Sequence, residues 1–153
     1  MNHLLVGVIS LFGSQVVFEK TVFGNETAII VDTSDVEGHI QALADDAFEG
    51  REGGRRGGRA AARYIEQEII PLGLMPAGTG KNFFQSFPTR FGTLRNILIL
   101  IPGSDSVLQS EVIVVGAHYD HVGYGNKRNS FGPFGYVHNG ADDNASGVAG
   151  LIK

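Results

Sequence analysis

Two short, unbroken apolar runs, NILILI at residues 96–101 and EVIVVGA at 111–117, do most to limit what this chain can fold into. Both are too short for an ordinary helix, and neither shows the apolar–polar alternation of a half-buried strand. Bounded by Pro-Gly and Ser turn signals, they predict strands buried on both faces and neighbouring each other in one sheet. Helical patterns precede them. Ser34-Asp35-Val36-Glu37 reads as a capping box with Ser34 as N-cap, and Val36, Ile40 and Leu43 recur at helical spacing. A helix over residues 35–45 is expected, with Gly38 inside it at a cost of about 1 kcal/mol against alanine. The block EGREGGRRGGR at 49–59 reads as a loop, and Ala61, Tyr64, Ile65, Ile69 and Leu72 follow as a second amphipathic helix closed by Pro71 and Gly73. Residues 119–139 form a polar loop punctuated by Gly123, Gly125, Gly132, Pro133 and Gly135, a length that points to function, and a third helix starts near Ala145.

Composition narrows the classes. A chain of 153 residues, 42% of them hydrophobic, fits one domain with a real core. Twelve Lys and Arg against sixteen Asp and Glu give no field for a polyanion, so no nucleic-acid partner is expected. The local cluster Arg51, Arg55, Arg56 and Arg59 has no aromatic residue beside it for base stacking, and no G-K-[ST] follows its glycines, which removes the phosphate-loop reading. With no cysteine, any metal must be held by His and carboxylates. The apolar run at residues 4–18 is fifteen long where a span needs about 20, so no stable membrane insertion is expected. Its length, with Gly13 and Ser14 near the end, fits a signal peptide over 1–18 followed by a linker over 19–33, which places the protein outside the cytoplasm, periplasmic or secreted. A buried strand rich in Val and Ile is the alternative for the same run.

Polar groups appear abruptly where the second apolar run ends, in Gly116-Ala117-His118-Tyr119-Asp120-His121. Ligands of open α/β sheets bind at the carboxyl ends of strands. His118 and Asp120, two apart, project to one face of an extended backbone, so that the carboxylate can hold one imidazole nitrogen while the other takes a metal. Taken alone, the pair is equally a hydrogen-bonded histidine beside a solvated aspartate. Further on, Asn139-Gly140-Ala141-Asp142-Asp143-Asn144-Ala145-Ser146-Gly147 sets two adjacent carboxylates at a helix start, where a divalent cation or helix amides would offset their repulsion. An Asp or Asn N-cap is the plainer reading of that segment alone. Together the two blocks supply imidazole and carboxylate without sulfur, a set suited to zinc at a hydrolytic site.

These two blocks carry a resemblance. With Phe48-Glu49-Gly50-Arg51, Leu72-Gly73-Leu74-Met75-Pro76, Phe84-Gln85-Ser86-Phe87 and Arg95-Asn96-Ile97, residues 35–153 resemble the N-terminal portion of metallopeptidase family twenty-eight, the co-catalytic two-zinc aminopeptidases. The resemblance implies an α/β three-layer sandwich with a mixed, mostly parallel sheet, of which residues 34–153 form the N-terminal portion of the catalytic domain, C-terminally truncated. It implies hydrolysis of peptide substrates with two zinc ions. His118 then binds one zinc, Asp143 bridges both, and Asp120 plays its catalytic part by orienting the ligand histidine. A non-proline cis bond is implied at Asp143-Asn144. The family's general-base Glu and its remaining ligands lie downstream of D-x-x-S-G, beyond Lys153, so this chain is expected to carry half of the site. Glu66 and Glu68 sit upstream on a helix surface and do not replace that base. His121 and His138 are candidate polar groups near the metals, and Tyr124, Phe131, Phe134 and Tyr136 either wall a substrate pocket or pack locally. The alternative function is a truncated, non-catalytic homologue acting as a metal-binding or interaction module.

Overall fold

The computed structural model describes residues 9–12, 15–22, 25–90, 92–108 and 110–153, with side chains described from Thr33 onward. It opens with an antiparallel meander of β1 (Ile9–Phe12), β2 (Gln15–Val22) and β3 (Asn25–Asp32), in which Phe12 pairs with Gln15 and Val22 with Asn25. Residues 1–8, 13 and 14 of the expected export signal lie outside the described residues, and the stretch read as a linker holds part of β2 and all of β3. Among the described residues no helix is long and apolar enough to cross a membrane.

Helix α1 (Thr33–Leu43) follows β3 directly and begins one turn-residue ahead of the capping box, so Ser34 lies in its first turn rather than at its cap. His39 and Leu43, four apart, form its buried edge. Asp45 then starts a tight helical turn over Asp46–Arg51 by accepting the Ala47 N–H at 2.8 Å. Helix α2 (Arg56–Ile69) starts inside the glycine block, four residues earlier than a loop over 49–59 allows. The reason is packing: Gly57 and Gly58 are buried on the same face as Ala61, Ala62, Ile65 and Ile69, and their missing side chains let the preceding turn lie against the helix. Pro71 and Gly73 close it as expected, with Gly73 at φ 65° donating to the Ile70 carbonyl at 3.2 Å.

Beyond α2, β4 (Met75–Pro76) pairs antiparallel with β7 (Ile99–Leu100), and β5 (Phe84–Thr89) pairs antiparallel with β6 (Gly92–Ile97). Helix α3 (Ser146–Ile152) packs on α1 and α2, so that Leu43, Ala61, Ile65, Ile69, Ala145, Val148 and Ile152 form one core against which Phe48, Tyr64, Phe83, Ile97, Ala117 and Tyr119 lean. Full burial of Leu43 and Ile69 contributes about 1.5–3 kcal/mol each.

The chain is thus of mixed helix and strand, and its described sheets are all antiparallel. The expectation that residues 96–101 and 111–117 form two doubly buried neighbouring strands is corrected at this point. Residues 96–101 divide between the edge pairings of β6 and β7, and residues 111–117 run without strand partners. A strand becomes buried only when neighbours take its amides and layers cover its faces. Here Ile113 is 90% and Val114 87% exposed, and a cavity of about 360 Å³ lined by Ile65, Leu94, Ile97, Val115 and Val148 opens beside the run.

Candidate metal centre

The segment that leaves residues 111–117 alternates as its sequence requires. Tyr119 turns inward, packs against the core and donates its hydroxyl to the Arg95 carbonyl at 2.7 Å, and burial pushes its pKa up. His118 and Asp120 therefore face the other way, with more than half of each side chain open to solvent. The imidazole Nδ1 of His118 lies 3.0 Å from the Asp120 main-chain carbonyl and 3.8 Å from its Oδ1. The orienting partner closest to the ring is thus the backbone of Asp120, with the carboxylate behind it.

Asp143 arrives from the other side. Gly140, in the left-handed region at φ 59°, turns the chain into a wide helical turn over Ala141–Ala145 that leads into α3. A Cβ on Gly140 would stand 2.7 Å from Cδ2 of His121, so glycine is required there for both conformation and space. The Asp143-Asn144 peptide is cis, as the resemblance implied. Oδ1 of Asp143 stands 3.2 Å from Nε2 of His118, and Oδ2 stands 3.5 Å from Nδ1 of His121. One carboxylate thus faces two imidazoles.

Histidine 121 is largely buried. That burial, joined by the charge of Arg51 and by His138 and His118, holds its pKa below the ordinary value against the opposing pull of Asp143. His138 is set apart from the pair: its Nε2–H donates to the Pro133 carbonyl at 2.8 Å, and it braces the 119–139 loop. Tyr124, Phe131, Phe134 and Tyr136 are exposed on that loop, and Asp142 is exposed beside Asp143.

Residues 96–153 match the family model described as Peptidase family M28. An Escherichia coli (strain K12) protein described as "Uncharacterized protein YfbL" is 34% identical over 94 residues, which is 61% of this chain and 24% of that protein. The chain therefore spans about a quarter of the length of the curated relative it matches. No solved structure matches it.

The matched segment holds His118, Asp120 and Asp143, all three candidates from the sequence, and the fold brings them together. The donor chemistry fits zinc. Two ligands of a tetrahedral zinc at bonds of about 2.0–2.1 Å stand about 3.3 Å apart, and Nε2 of His118 and Oδ1 of Asp143 are 3.2 Å apart. Among the described residues no group of three or more His, Cys, Asp or Glu is placed to hold a metal ion by itself.

Two residues that matter lie outside the expected site. Arg51 is fully buried and donates to the carbonyls of Tyr119 at 2.8 Å, Leu43 and Asn139 at 2.5 Å each, and Gly140 at 2.8 Å. Asn139 donates its side-chain amide to the Ala44 carbonyl at 2.6 Å and to Asp46 at 2.7 Å. Burial lowers the pKa of Arg51 and the charges of Asp120 and Asp143 oppose that, leaving an arginine that stays charged. The other arginines of the cluster are engaged locally: Arg56 on Glu49 at 2.7 Å, Arg59 on the Gly54 carbonyl at 2.8 Å, and Arg55 at 3.8 Å from Glu52. The only sequence signal for Arg51 was its place in Phe48-Glu49-Gly50-Arg51.

Proposed function

We propose that the protein serves metal-dependent hydrolysis of peptide bonds as an exported aminopeptidase with a two-zinc site, in which His118 and Asp143 are metal donors and Asp120 orients the histidine. The single observation behind this reading is the lone-pair geometry at His118. A neutral imidazole carries one N–H, and the Asp120 carbonyl at 3.0 Å takes it from Nδ1. Nε2 then turns a lone pair toward a carboxylate oxygen 3.2 Å away. That separation is the one that two donors to a single zinc ion would have. Bound zinc supplies Lewis acidity at the scissile carbonyl. The residues of this chain do the rest of the assigned work: Asp120 fixes which nitrogen is free, Asp143 offers one oxygen toward His118 and the other toward His121, and Tyr119 anchors the segment between them.

Zinc calorimetry on the chain and on His118→Ala and Asp143→Ala, alongside aminoacyl chromogenic substrates, tests the reading. Binding that is lost in both variants supports it. Binding that neither substitution changes overturns it. Export is supported by the apolar run at residues 4–18 and is checked by N-terminal sequencing of protein from the extracytoplasmic fraction, with a start near residue 19 expected and a cytoplasmic chain beginning at Met1 counting against it. The wider architecture we propose is the three-layer sandwich, supported by an apolar run leading straight into His118 with helices packed nearby. Amide exchange protection at residues 112–115 in the working enzyme is its check.

A further inference from the structure

The buried Arg51 makes four hydrogen bonds, all to main-chain carbonyls from three separate segments. None of the ion pairs among the described residues includes it. An ordinary structural arginine at an exposed or half-exposed position pairs with a carboxylate, whereas all three nitrogens of this one donate to backbone. The carbonyls it takes are specific. Tyr119 lies between His118 and Asp120, and Gly140 lies three residues before Asp143.

Its own backbone holds the same loop. The Arg51 carbonyl accepts the His121 N–H at 3.1 Å, the Gly50 carbonyl accepts the Gly123 N–H at 2.9 Å, and Glu52 forms a parallel bridge with His121. Reaching this arrangement puts Glu49, Gly50 and Arg51 in succession in the left-handed region at φ 50°, 62° and 52°. Two of the three are not glycine, a conformation that surrounding contacts must enforce. A Cβ on Gly50 would stand 2.5 Å from the Gly123 carbonyl and 2.6 Å from that of His138, so the clasp closes on the loop with no space for a side chain there.

We infer that Arg51 is the positioning residue of the metal centre, setting the His118–Asp120 segment and the turn before Asp143 in register through their carbonyls. The inference rests on the reading of His118 and Asp143 as metal donors. Lysine at this place keeps the charge and three donors but concentrates them on one nitrogen, so it cannot reproduce the fork by which Nε and Nη2 hold the Tyr119 and Gly140 carbonyls apart.

The test uses the full chain as wild type, Arg51→Lys and His118→Ala. Zinc affinity is read by calorimetry, and the His118 ring nitrogens are read in the metal-free protein by long-range proton–nitrogen spectra, with circular dichroism checking the fold. The expected result is a folded Arg51→Lys protein whose zinc affinity falls about ten- to a hundredfold, the range for outer partners of metal ligands. Its His118 nitrogens lose the Nδ1–H pattern of the wild type. A folded Arg51→Lys protein with zinc affinity within about twofold of wild type and unchanged His118 nitrogens overturns the inference, as does lowered thermal stability with those nitrogens unchanged. Arg51→Gln stands in if the lysine variant does not fold, and unfolding of both makes Arg51 an anchor of the fold alone. Absence of zinc binding in the wild type, or binding that His118→Ala leaves intact, defeats the metal-donor reading, while the metal-free spectra still decide the role of Arg51.

Discussion

Where Gly57 would carry a Cβ, the carbonyl oxygen of Phe48 already stands 1.9 Å away. Helix α2 and the turn before it are in backbone contact, with no side chain between them. Two effects oppose each other at such a position. Alanine is favoured over glycine in a helix by about 1 kcal/mol, but forcing a methyl against fixed backbone costs about 1–3 kcal/mol or more. At Gly57 the clash wins, and Gly57→Ala is expected to lower stability in denaturant titration. Gly38 in α1 has nothing within 4 Å of its Cβ position, so Gly38→Ala is expected to raise stability by about 0.5–1 kcal/mol in the same experiment.

Leu43 is fully buried at the end of α1, where it meets α2 and α3 and where its carbonyl takes a hydrogen bond from Arg51. Leu43→Ala keeps that carbonyl and empties the core beside it. A loss of about 2–5 kcal/mol in unfolding free energy is expected. A loss below 1 kcal/mol would mean that the three helices do not share one core.

Acid stability should carry the mark of Glu49. The hydrogen bonds from Arg56 hold its pKa below the ordinary 4.5. In the interval between that value and the lowered one, the unfolded chain takes up a proton that the folded chain does not, so stability falls as pH drops through it and is unaffected above it. Glu49→Gln is expected to flatten this acid limb in melting curves collected from pH 6 downward. The change is small, because Arg56 is largely in solvent and the pair is screened. Identical acid limbs in the two proteins would dismiss the pair as a contributor.

The Asp120 carbonyl is nearer to Nδ1 of His118 than its carboxylate is, at 3.0 against 3.8 Å. Asp120→Asn keeps the first contact and weakens the second. Zinc affinity is expected to fall about tenfold, the low end for partners behind a ligand histidine, while His118→Ala abolishes binding. A loss of a hundredfold or more for Asp120→Asn would assign the orienting role to the carboxylate instead.

The sequence pointed to the site more sharply than to the sheets, for a physical reason. His118, Asp120 and Asp143 sit at a run's end and a helix's start, where local pattern determines which side chains share a face. The alternation that aims Tyr119 inward and its neighbours outward needs nothing distant to specify it. The helices were legible for the same reason, from Val36, Ile40 and Leu43 and from the 61, 65, 69 spacing closed by Pro71 and Gly73. What a periodic pattern does not encode is pairing. Apolar residues at 112–115 announce a wish for burial without naming the strands that supply it, and here they run unpaired. Arg51 escaped for a related reason. Its partners are carbonyls, which every residue owns, so no residue type elsewhere in the chain betrays the contact. Gly57 and Gly58 read as loop because glycine disfavours helices on average, and only the approach of Phe48 and Glu52 explains their place in α2.

Vectorial synthesis gives the Arg51 clasp one more property. The Gly140 carbonyl lies 89 residues downstream of the guanidinium it accepts from. At about 5–20 residues per second, Arg51 is synthesised roughly 5–20 s before that partner. Through this interval the guanidinium lacks the last of the four carbonyls that take it in the folded protein. Completion of the clasp therefore waits on synthesis of the segment that carries Asp143.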